Sequence, residues 1–137
     1  MTGFVLDCSI AVAWCFEDEA STEADDLLDR VREDGAVVPA LFPLELGNIL
    51  ALAERRGRIP AAGIPIRLEL LDALPIEIDP QTAAKALAET LLLARHHALT
   101  TYDASYLELA LRLGRPLATA DAALRRAAAA EGVALLP

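Results

Sequence analysis

The chain has 137 residues, enough for one domain with a hydrophobic core, and its 55% of hydrophobic residues excludes a disordered tail. The formal net charge of −9 is unusual for a nucleic-acid-binding protein, whose binding surface is normally basic. It does not exclude RNA, because acids that bind divalent cations would account for part of it, and eleven of the twelve basic residues are arginine, whose guanidinium suits phosphate.

Short apolar runs alternate with longer helical patterns along the chain. In order, they predict a strand at 3–6, helices at 9–16 and 21–32, a strand at 36–38, helices at 41–56 and 58–74, a strand at 75–78, helices at 79–96 and 103–113, a strand at 117–119, a helix at 121–130 and a strand at 133–135. Ser21 is the expected N-cap of the second helix, and Gly57 and Gly114 are expected to end two others. The start of the helix within 58–74 stays open, because Pro60 and Pro65 both suit a first helical turn.

Strands separated by helices of this length indicate βαβ units and a mainly parallel sheet that is covered on both faces. We therefore predict one domain over 1–137, an α/β fold built as a three-layer α/β/α sandwich. In such sheets, functional sites gather beyond the carboxyl ends of the strands. Asp7 and Asp121 each follow a predicted strand and are therefore candidate site residues.

The longest apolar stretches are interrupted by acids, so none reaches the ~20 residues of a membrane span. No basic segment precedes an apolar one at the start, so no signal peptide is expected. The two cysteines, Cys8 and Cys15, are too few for a disulfide framework or a zinc site. We therefore expect a cytoplasmic protein without a membrane partner.

Four acids lie at or inside apolar stretches, where a charge is out of place: Asp7, Glu45, Asp103 and Asp121. A buried carboxylate without a partner is costly. If the four converged, they would repel one another and raise their own pKa values unless a divalent metal lay among them. The pattern therefore favours a metal-dependent phosphodiesterase.

Each acid also has an ordinary structural explanation. Asp7, Asp103 and Asp121 each precede a predicted helix and could be N-caps, although a capping carboxylate can still offer its second oxygen to a metal. Glu45 lies in a helix that is apolar almost all round and is expected to be buried. Asn48 follows at i+3, so an internal pair of Glu45 with Asn48 is the alternative.

The polar neighbours of the acids also have both a functional and a structural explanation. Ser9 and Thr119 could orient a carboxylate or hold a metal-bound water, although each alone is typical of a turn or a cap. Tyr102, beside Asp103, could contact substrate, although it is interpreted as a half-buried packing residue. His96 and His97 are adjacent, do not share a helix face, and are interpreted as favourable charges at a helix C-terminus.

The clustered arginines Arg55, Arg56 and Arg58 follow the helix that carries Glu45. Such clusters are usually solvated helix ends. The functional alternative is contact with RNA phosphate or with a protein partner.

Four segments of the chain resemble the four motifs of PIN domains, and within that family they are most similar to VapC toxins of bacterial toxin–antitoxin pairs. They are VLDCS at 5–9, PLELGNIL at 43–50, TYDASYLELA at 101–110 and ATADAAL at 118–124. The resemblance implies Mg²⁺- or Mn²⁺-dependent endoribonuclease activity on structured RNA, such as tRNA or rRNA. It also implies a homodimer that is neutralised by a small VapB-type antitoxin with a basic tail.

Carried over by position, the resemblance implies a catalytic and metal-binding quartet, with three polar residues in support. The quartet is Asp7, Glu45, Asp103 and Asp121, and the supporting residues are Ser9, Asn48 and Thr119. Ribonuclease H-like nucleases are disfavoured because the first strand leads directly into a helix. A receiver domain is disfavoured because the one lysine, Lys85, lies outside the motifs. A rival of another class is a catalytically silent PIN-like module whose acids dock a basic partner.

Overall fold

A computed structural model describes residues 3–137 of the chain. Its elements are β1 (Phe4–Leu6), α1 (Cys8–Cys15), α2 (Thr22–Asp34), β2 (Ala36–Val38), α3 (Phe42–Arg55), α4 (Ile64–Asp72), β3 (Ile76–Ile78), α5 (Thr82–Ala86), α6 (Glu89–His97), α7 (Thr101–Leu113), β4 (Leu117–Ala118), α8 (Ala122–Ala130) and β5 (Leu135–Leu136). Single 3₁₀ turns lie at Glu17–Glu19 and Ala61–Gly63. None of the helices within 3–137 is long and apolar enough to cross a bilayer.

The five strands form one sheet in the order β3-β2-β1-β4-β5, with every neighbouring pair parallel. The predicted parallel sheet and α/β sandwich are therefore confirmed. The chain winds outward from β1 through β2 to β3, then returns to the other side of β1 for β4 and β5. The winding direction therefore reverses between β1 and β4, and a crevice for a site is expected at such a reversal.

The core lies on both faces of the central strands. All residues of β1 and β2 are buried, whereas the edge strands β3 and β5 are partly exposed. Helix α7 contributes Tyr106 and Leu107, both with no exposed surface. This burial explains why β1 and β2 read as continuous apolar runs rather than alternating ones.

Several predicted boundaries are confirmed by their caps. The side chain of Ser21 accepts a hydrogen bond from the Ala24 amide, as an N-cap does. Gly57 and Gly114 have φ values of +71° and +64°, the left-handed conformation that suits glycine after a helix.

Other predicted elements were wrong in extent. The helix predicted at 79–96 is two helices, α5 and α6, because Ala88 has φ −117° and ψ −111°, which is not helical. No glycine or proline marks this break in the sequence. The helix expected within 58–74 is α4, which begins at Ile64 with Pro65 in its first turn, so the second of the two candidate prolines is used. The last strand lies at Leu135–Leu136 rather than at 133–135.

The composition of helix α3 predicts burial on all sides, and this prediction was wrong. Phe42, Leu46, Leu50 and Ala53 face the core, whereas Leu44 is 79% exposed. The helix therefore has an ordinary buried stripe and an apolar outer face.

Candidate active site

Asp7 lies at the carboxyl end of β1, in the middle of the sheet, and is 5% exposed. Its amide donates to the carbonyl of Ala118 at 2.9 Å, which fixes it beside the end of β4. It occupies the N-cap position of α1, but its side chain makes no capping hydrogen bond. Instead, Oδ2 accepts from Ser9 Oγ at 2.6 Å and from Thr119 Oγ1 at 2.8 Å. Oδ1 has no hydrogen-bond partner within 3–137.

Two hydroxyl groups join the ends of β1 and β4. Thr119 is fully buried, and its Oγ1 also accepts from the Asp121 amide at 3.0 Å. Ser9 Oγ accepts from the Ala120 amide at 2.9 Å. Because each hydroxyl accepts from the segment after β4 while donating to Asp7, the two hydroxyls hold that carboxylate and the start of the Asp121 segment in a fixed relation.

Glu45 projects from the first turn of α3 and is half-buried. Its Oε1 accepts a hydrogen bond from the phenol of Tyr106 at 2.6 Å. Asn48 is exposed, and its side chain makes no hydrogen bond within 3–137, so the suggested pair of Glu45 with Asn48 does not form. The sequence reasoning missed Tyr106. Its position at i+3 from Asp103, on the same face of α7, was the available signal.

Asp103 and Asp121 begin their helices differently. Asp103 lies in the first turn of α7 rather than at its cap, since Thr100 Oγ1 accepts from the Asp103 amide at 3.1 Å. Asp121 is the N-cap of α8, and its Oδ2 accepts from the Leu124 amide at 2.8 Å. Of the three predicted carboxylate caps, only Asp121 caps with its side chain.

The electrostatics link the four acids to one another. Burial raises the pKa of Glu45, and the charges of Asp7 and Asp103 raise it further, against the hydrogen bond from Tyr106. Burial also raises the pKa of Asp103, with the charges of Asp7 and Asp121 adding to the effect. Mutual repulsion of this kind is expected where carboxylates share a site without a cation.

The adjacent thiol does not join this set as a ligand. Burial, followed by the charges of Glu45 and Asp7, raises the pKa of Cys8 to about 12. The protonated thiol is a poor metal ligand, so the donors near Asp7 are oxygen atoms.

The donor set fits a hard divalent cation such as Mg²⁺ or Mn²⁺. Carboxylate and hydroxyl oxygens are the ligands that such ions prefer. No three of the quartet bring ligand atoms within 4.8 Å of one another in residues 3–137. A hydrated Mg²⁺ does not need that closeness, because it keeps several waters and is usually held by only one or two carboxylates.

The predicted contact arginines differ in their surroundings. Arg55 and Arg56 are exposed at the end of α3. Arg58 donates to Asp18 at 3.0 Å and to Glu19 at 2.5 Å, and its guanidinium carbon lies 3.8 Å from the centroid of the Phe16 ring.

Tyr102, predicted to be half-buried, is 65% exposed. It is the second residue of α7, next to Asp103, and its exposure shows that its interpretation as a half-buried packing residue was wrong.

Fold and site together define an α/β protein whose acids gather where the winding of a parallel sheet reverses. The PIN domain family matches residues 4–130, and the chain belongs to this family. Ribonuclease VapC3 of Pyrobaculum aerophilum is 29% identical over 117 residues, which are 85% of this chain and 88% of that protein. The crystal structure of PAE2754 from Pyrobaculum aerophilum has a TM-score of 0.71 at 27% identity and covers 98% of this chain and 90% of that one.

Proposed function

We propose that the protein is a metal-dependent endoribonuclease, the toxin of a toxin–antitoxin pair, which hydrolyses phosphodiester bonds of structured RNA such as tRNA or rRNA. The observation that carries the proposal is the arrangement of Asp7 and Asp121 at the carboxyl ends of β1 and β4, where the hydroxyl of Thr119 donates to Asp7 and accepts from the Asp121 amide. The charges of neighbouring acids, which raise the pKa of Glu45 and of Asp103 beyond the effect of burial, support it. Membership of the PIN domain family and similarity to a ribonuclease support it.

Asp7 and Asp103 would bind the first Mg²⁺ or Mn²⁺, Glu45 would ligate it or hold its water shell, and Asp121 would help to seat a second ion. When bound, such ions supply an activated water and stabilise negative charge on the reacting phosphate. The chain positions the ligands. Ser9 and Thr119 occupy Oδ2 of Asp7, and Asp121 caps with Oδ2, so each of these acids keeps Oδ1 for a cation.

Tyr106 acts in the same way on the other side of the site, because it occupies Oε1 of Glu45 and leaves Oε2 free. Asn48, one turn further along α3 and exposed, would act from the solvent side, on a water or on the substrate. Arg55 and Arg56 would contact RNA phosphate or the antitoxin. Arg58 would contribute only by exchanging its partners Asp18 and Glu19.

A small VapB-type antitoxin would cover an apolar groove between α3, α4 and the edge strand β3. The groove has a volume of ≈ 300 Å³ and is lined by Phe42, Leu46, Leu50, Leu68 and Ile78, among others. Leu68 and Ile78 are 47% and 50% exposed, as expected of a surface that a partner covers. A basic tail on that partner would be attracted by the acidic quartet.

A homodimer would form through a second exposed apolar surface on α5, α6 and α7. Leu87, directly after α5, and Leu92 are 86% and 60% exposed, and Leu111 of α7 lines a surface groove together with Leu92. Residues 1–137 would act as one nuclease domain in the cytoplasm, which agrees with the two buried cysteines being free.

The test is cleavage of total cellular RNA by the purified, partner-free protein with Mg²⁺, with Mn²⁺ and with a chelator. Discrete fragments that disappear with the chelator support the proposal. Metal binding without turnover would instead support the rival, a silent module that docks a basic partner.

A further inference from the structure

His96, His97 and Glu131 come together at the ends of two helices, away from the acids already described. Nε2 of His97 lies 2.7 Å from Oε2 of Glu131, although the two residues are 34 positions apart. The two imidazole rings are 4.6 Å apart between centroids and perpendicular, with an interplanar angle of 85°. One ligand atom of each residue lies within 4.8 Å of the other two, and no other set of three in residues 3–137 does so.

The positions of these residues in the fold explain the convergence. His96 and His97 are the last two residues of α6, which ends at Ala98 in the left-handed conformation. Neighbours on a helix point about 100° apart, so mid-helix they would not serve one ligand. Here the third group comes from another element, the C-cap of α8, and reaches both rings. The sequence argument that adjacent histidines do not share a helix face missed this.

We propose that His96, His97 and Glu131 bind a Zn²⁺ ion, with water completing its coordination. Two imidazoles and one carboxylate form a donor set that proteins use for zinc, with the fourth position open. The site differs chemically from the acidic quartet, because Mg²⁺ prefers oxygen ligands whereas imidazole selects later transition metals.

The geometry requires only side-chain movement. An ion about 2.0–2.1 Å from each ligand atom places tetrahedral ligands ~3.4 Å apart, so the widest separation here, which does not exceed 4.8 Å, must close by at most about 1.4 Å. His96 is exposed, whereas the side chains of His97 and Glu131 are 11% and 30% exposed, so the rearrangement is mainly a rotation of the His96 side chain towards the other two. The ion would replace the proton now shared between His97 and Glu131.

Such an ion would tie the end of α6 to the end of α8. The chain leaves α6 and enters α7 within four residues, and Asp103 lies in the first turn of α7. Asp121 is the N-cap of helix α8, at the end opposite to Glu131. The zinc site would therefore stabilise the two segments that carry these acids without taking part in the chemistry.

The test uses the untagged protein in excess Mg²⁺, with binding of Zn²⁺ measured by calorimetry and Cu²⁺ as a spectroscopic probe. The chain has two histidines, so hyperfine splitting that is assigned to imidazole nitrogens in the Cu²⁺ spectrum reports His96 and His97. We expect one Zn²⁺ per chain, a higher melting temperature with Zn²⁺, and splitting from two imidazoles. His96→Gln and His97→Gln should each weaken Zn²⁺ binding at least about 100-fold, since even outer-shell partners of metal ligands are worth about 10–100-fold.

The variants keep the test interpretable. Glutamine at position 97 can still donate to Glu131, so the fold is retained, which circular dichroism would verify. Asp103→Asn, which alters the acidic quartet, should leave Zn²⁺ binding unchanged in excess Mg²⁺. Equal Zn²⁺ affinity in the wild type and in the double histidine variant, or no Zn²⁺ binding in excess Mg²⁺, would overturn the proposal and leave an ordinary hydrogen bond between His97 and Glu131.

Discussion

The phenol of Tyr106 on α7 donates a hydrogen bond of 2.6 Å to Oε1 of Glu45 on α3, across 61 residues of sequence. Burial and the negative charge of Glu45 raise the pKa of Tyr106, so the phenol remains a protonated donor. The same hydrogen bond lowers the pKa of Glu45 against the effect of burial. Tyr106 is therefore a positioning residue that keeps Glu45 oriented and more readily ionised.

Tyr106→Phe removes this donor and little volume. We expect a loss of ~1 kcal/mol in the free energy of unfolding, because a buried acceptor loses its partner. We also expect Mn²⁺ binding to weaken about 10-fold, by analogy with outer-shell partners of metal ligands. Calorimetric titration with Mn²⁺ measures the second effect.

Tyr102→Phe is the matched control, because the same hydroxyl is removed from a tyrosine that is 65% exposed and four residues away. Its Mn²⁺ affinity should equal that of the wild type. If Tyr106→Phe and Glu45→Gln had fully additive effects on Mn²⁺ affinity, the positioning role would be wrong, because residues that act through one contact are not additive.

Thr119→Val should disturb both Asp7 and Asp121. The buried hydroxyl donates to Oδ2 of Asp7 and accepts from the Asp121 amide, and valine can do neither. We expect ~1–3 kcal/mol of destabilisation in chemical denaturation, together with weaker Mn²⁺ binding. Thr119→Ser keeps the hydroxyl and should restore the Mn²⁺ affinity. Weak binding in both variants would indicate that packing of the methyl group, rather than the hydroxyl, is what matters.

Asp103→Asn should stabilise the protein when no divalent metal is present. The pKa of Asp103 is raised in the folded state, so its contribution to stability is fully present below the unfolded pKa and is lost as the pH rises through the folded value. At neutral pH the charged carboxylate is therefore unfavourable. Its removal should raise the melting temperature by a few degrees, which corresponds to a gain on the order of 1 kcal/mol in the free energy of unfolding.

The stability difference between Asp103→Asn and the wild type should depend on pH and on metal. The advantage of Asp103→Asn in thermal unfolding should shrink as the pH falls through the folded pKa and should vanish below about pH 3.9, where the wild-type carboxyl is protonated in both states. It should also shrink with Mn²⁺, which stabilises the wild type more than the variant. A variant that is less stable than the wild type in chelator at neutral pH would contradict the repulsion inferred among the acids.

Arg112→Met should strongly destabilise the fold. Arg112 on α7 donates to Asp79 after β3 at 2.6 Å and to Glu108 at 2.9 Å, and both acids are nearly buried, at 6% and 7% side-chain exposure. Removal of the cation leaves two buried charges unpaired, which costs about 3–5 kcal/mol. Denaturation by urea measures the loss.

Arg32→Met is the comparison for Arg112→Met, because Arg32 pairs with Asp29 at a surface where both side chains are more than half exposed. It should change stability by less than about 0.5 kcal/mol.

The pKa of Asp79 is lowered through its contacts with Arg112, so wild-type stability from this contact is lost as the pH falls through the folded pKa. Arg112→Met should lack that part of the acid dependence.

The sheet could be predicted because it follows from local information. Residues 36–38 are apolar and bounded by Gly35 and Pro39, and Asp7 and Asp121 follow apolar runs directly. Those acids could be placed near each other because the carboxyl ends of neighbouring parallel strands lie side by side. Thr100, and not Asp103, caps α7, and this could have been predicted from the local sequence but was missed.

Other features depend on contacts between distant residues. The hydrogen bond of Tyr106 with Glu45 and the ion pair of Arg112 with Asp79 each join segments that no periodicity relates. Asp79 was interpreted as the start of a helix because Pro80 follows it, whereas the structure uses it as a buried partner of α7. The outer face of α3 was predicted to be buried because apolar composition alone does not distinguish a core contact from a surface that a partner covers.

The most direct test of the central claim is RNA cleavage by the wild type, Asp103→Asn and Asp34→Asn with Mn²⁺ and with chelator. Asp34 is the matched control, since it is exposed at the end of α2, near the amino end of β2, whereas Asp7 and Asp121 follow the carboxyl ends of their strands. We predict discrete, Mn²⁺-dependent cleavage by the wild type and by Asp34→Asn, and a loss of at least about 100-fold in Asp103→Asn. Equal cleavage by Asp103→Asn, or cleavage that persists in chelator, would contradict the assignment of the quartet to a metal-dependent ribonuclease.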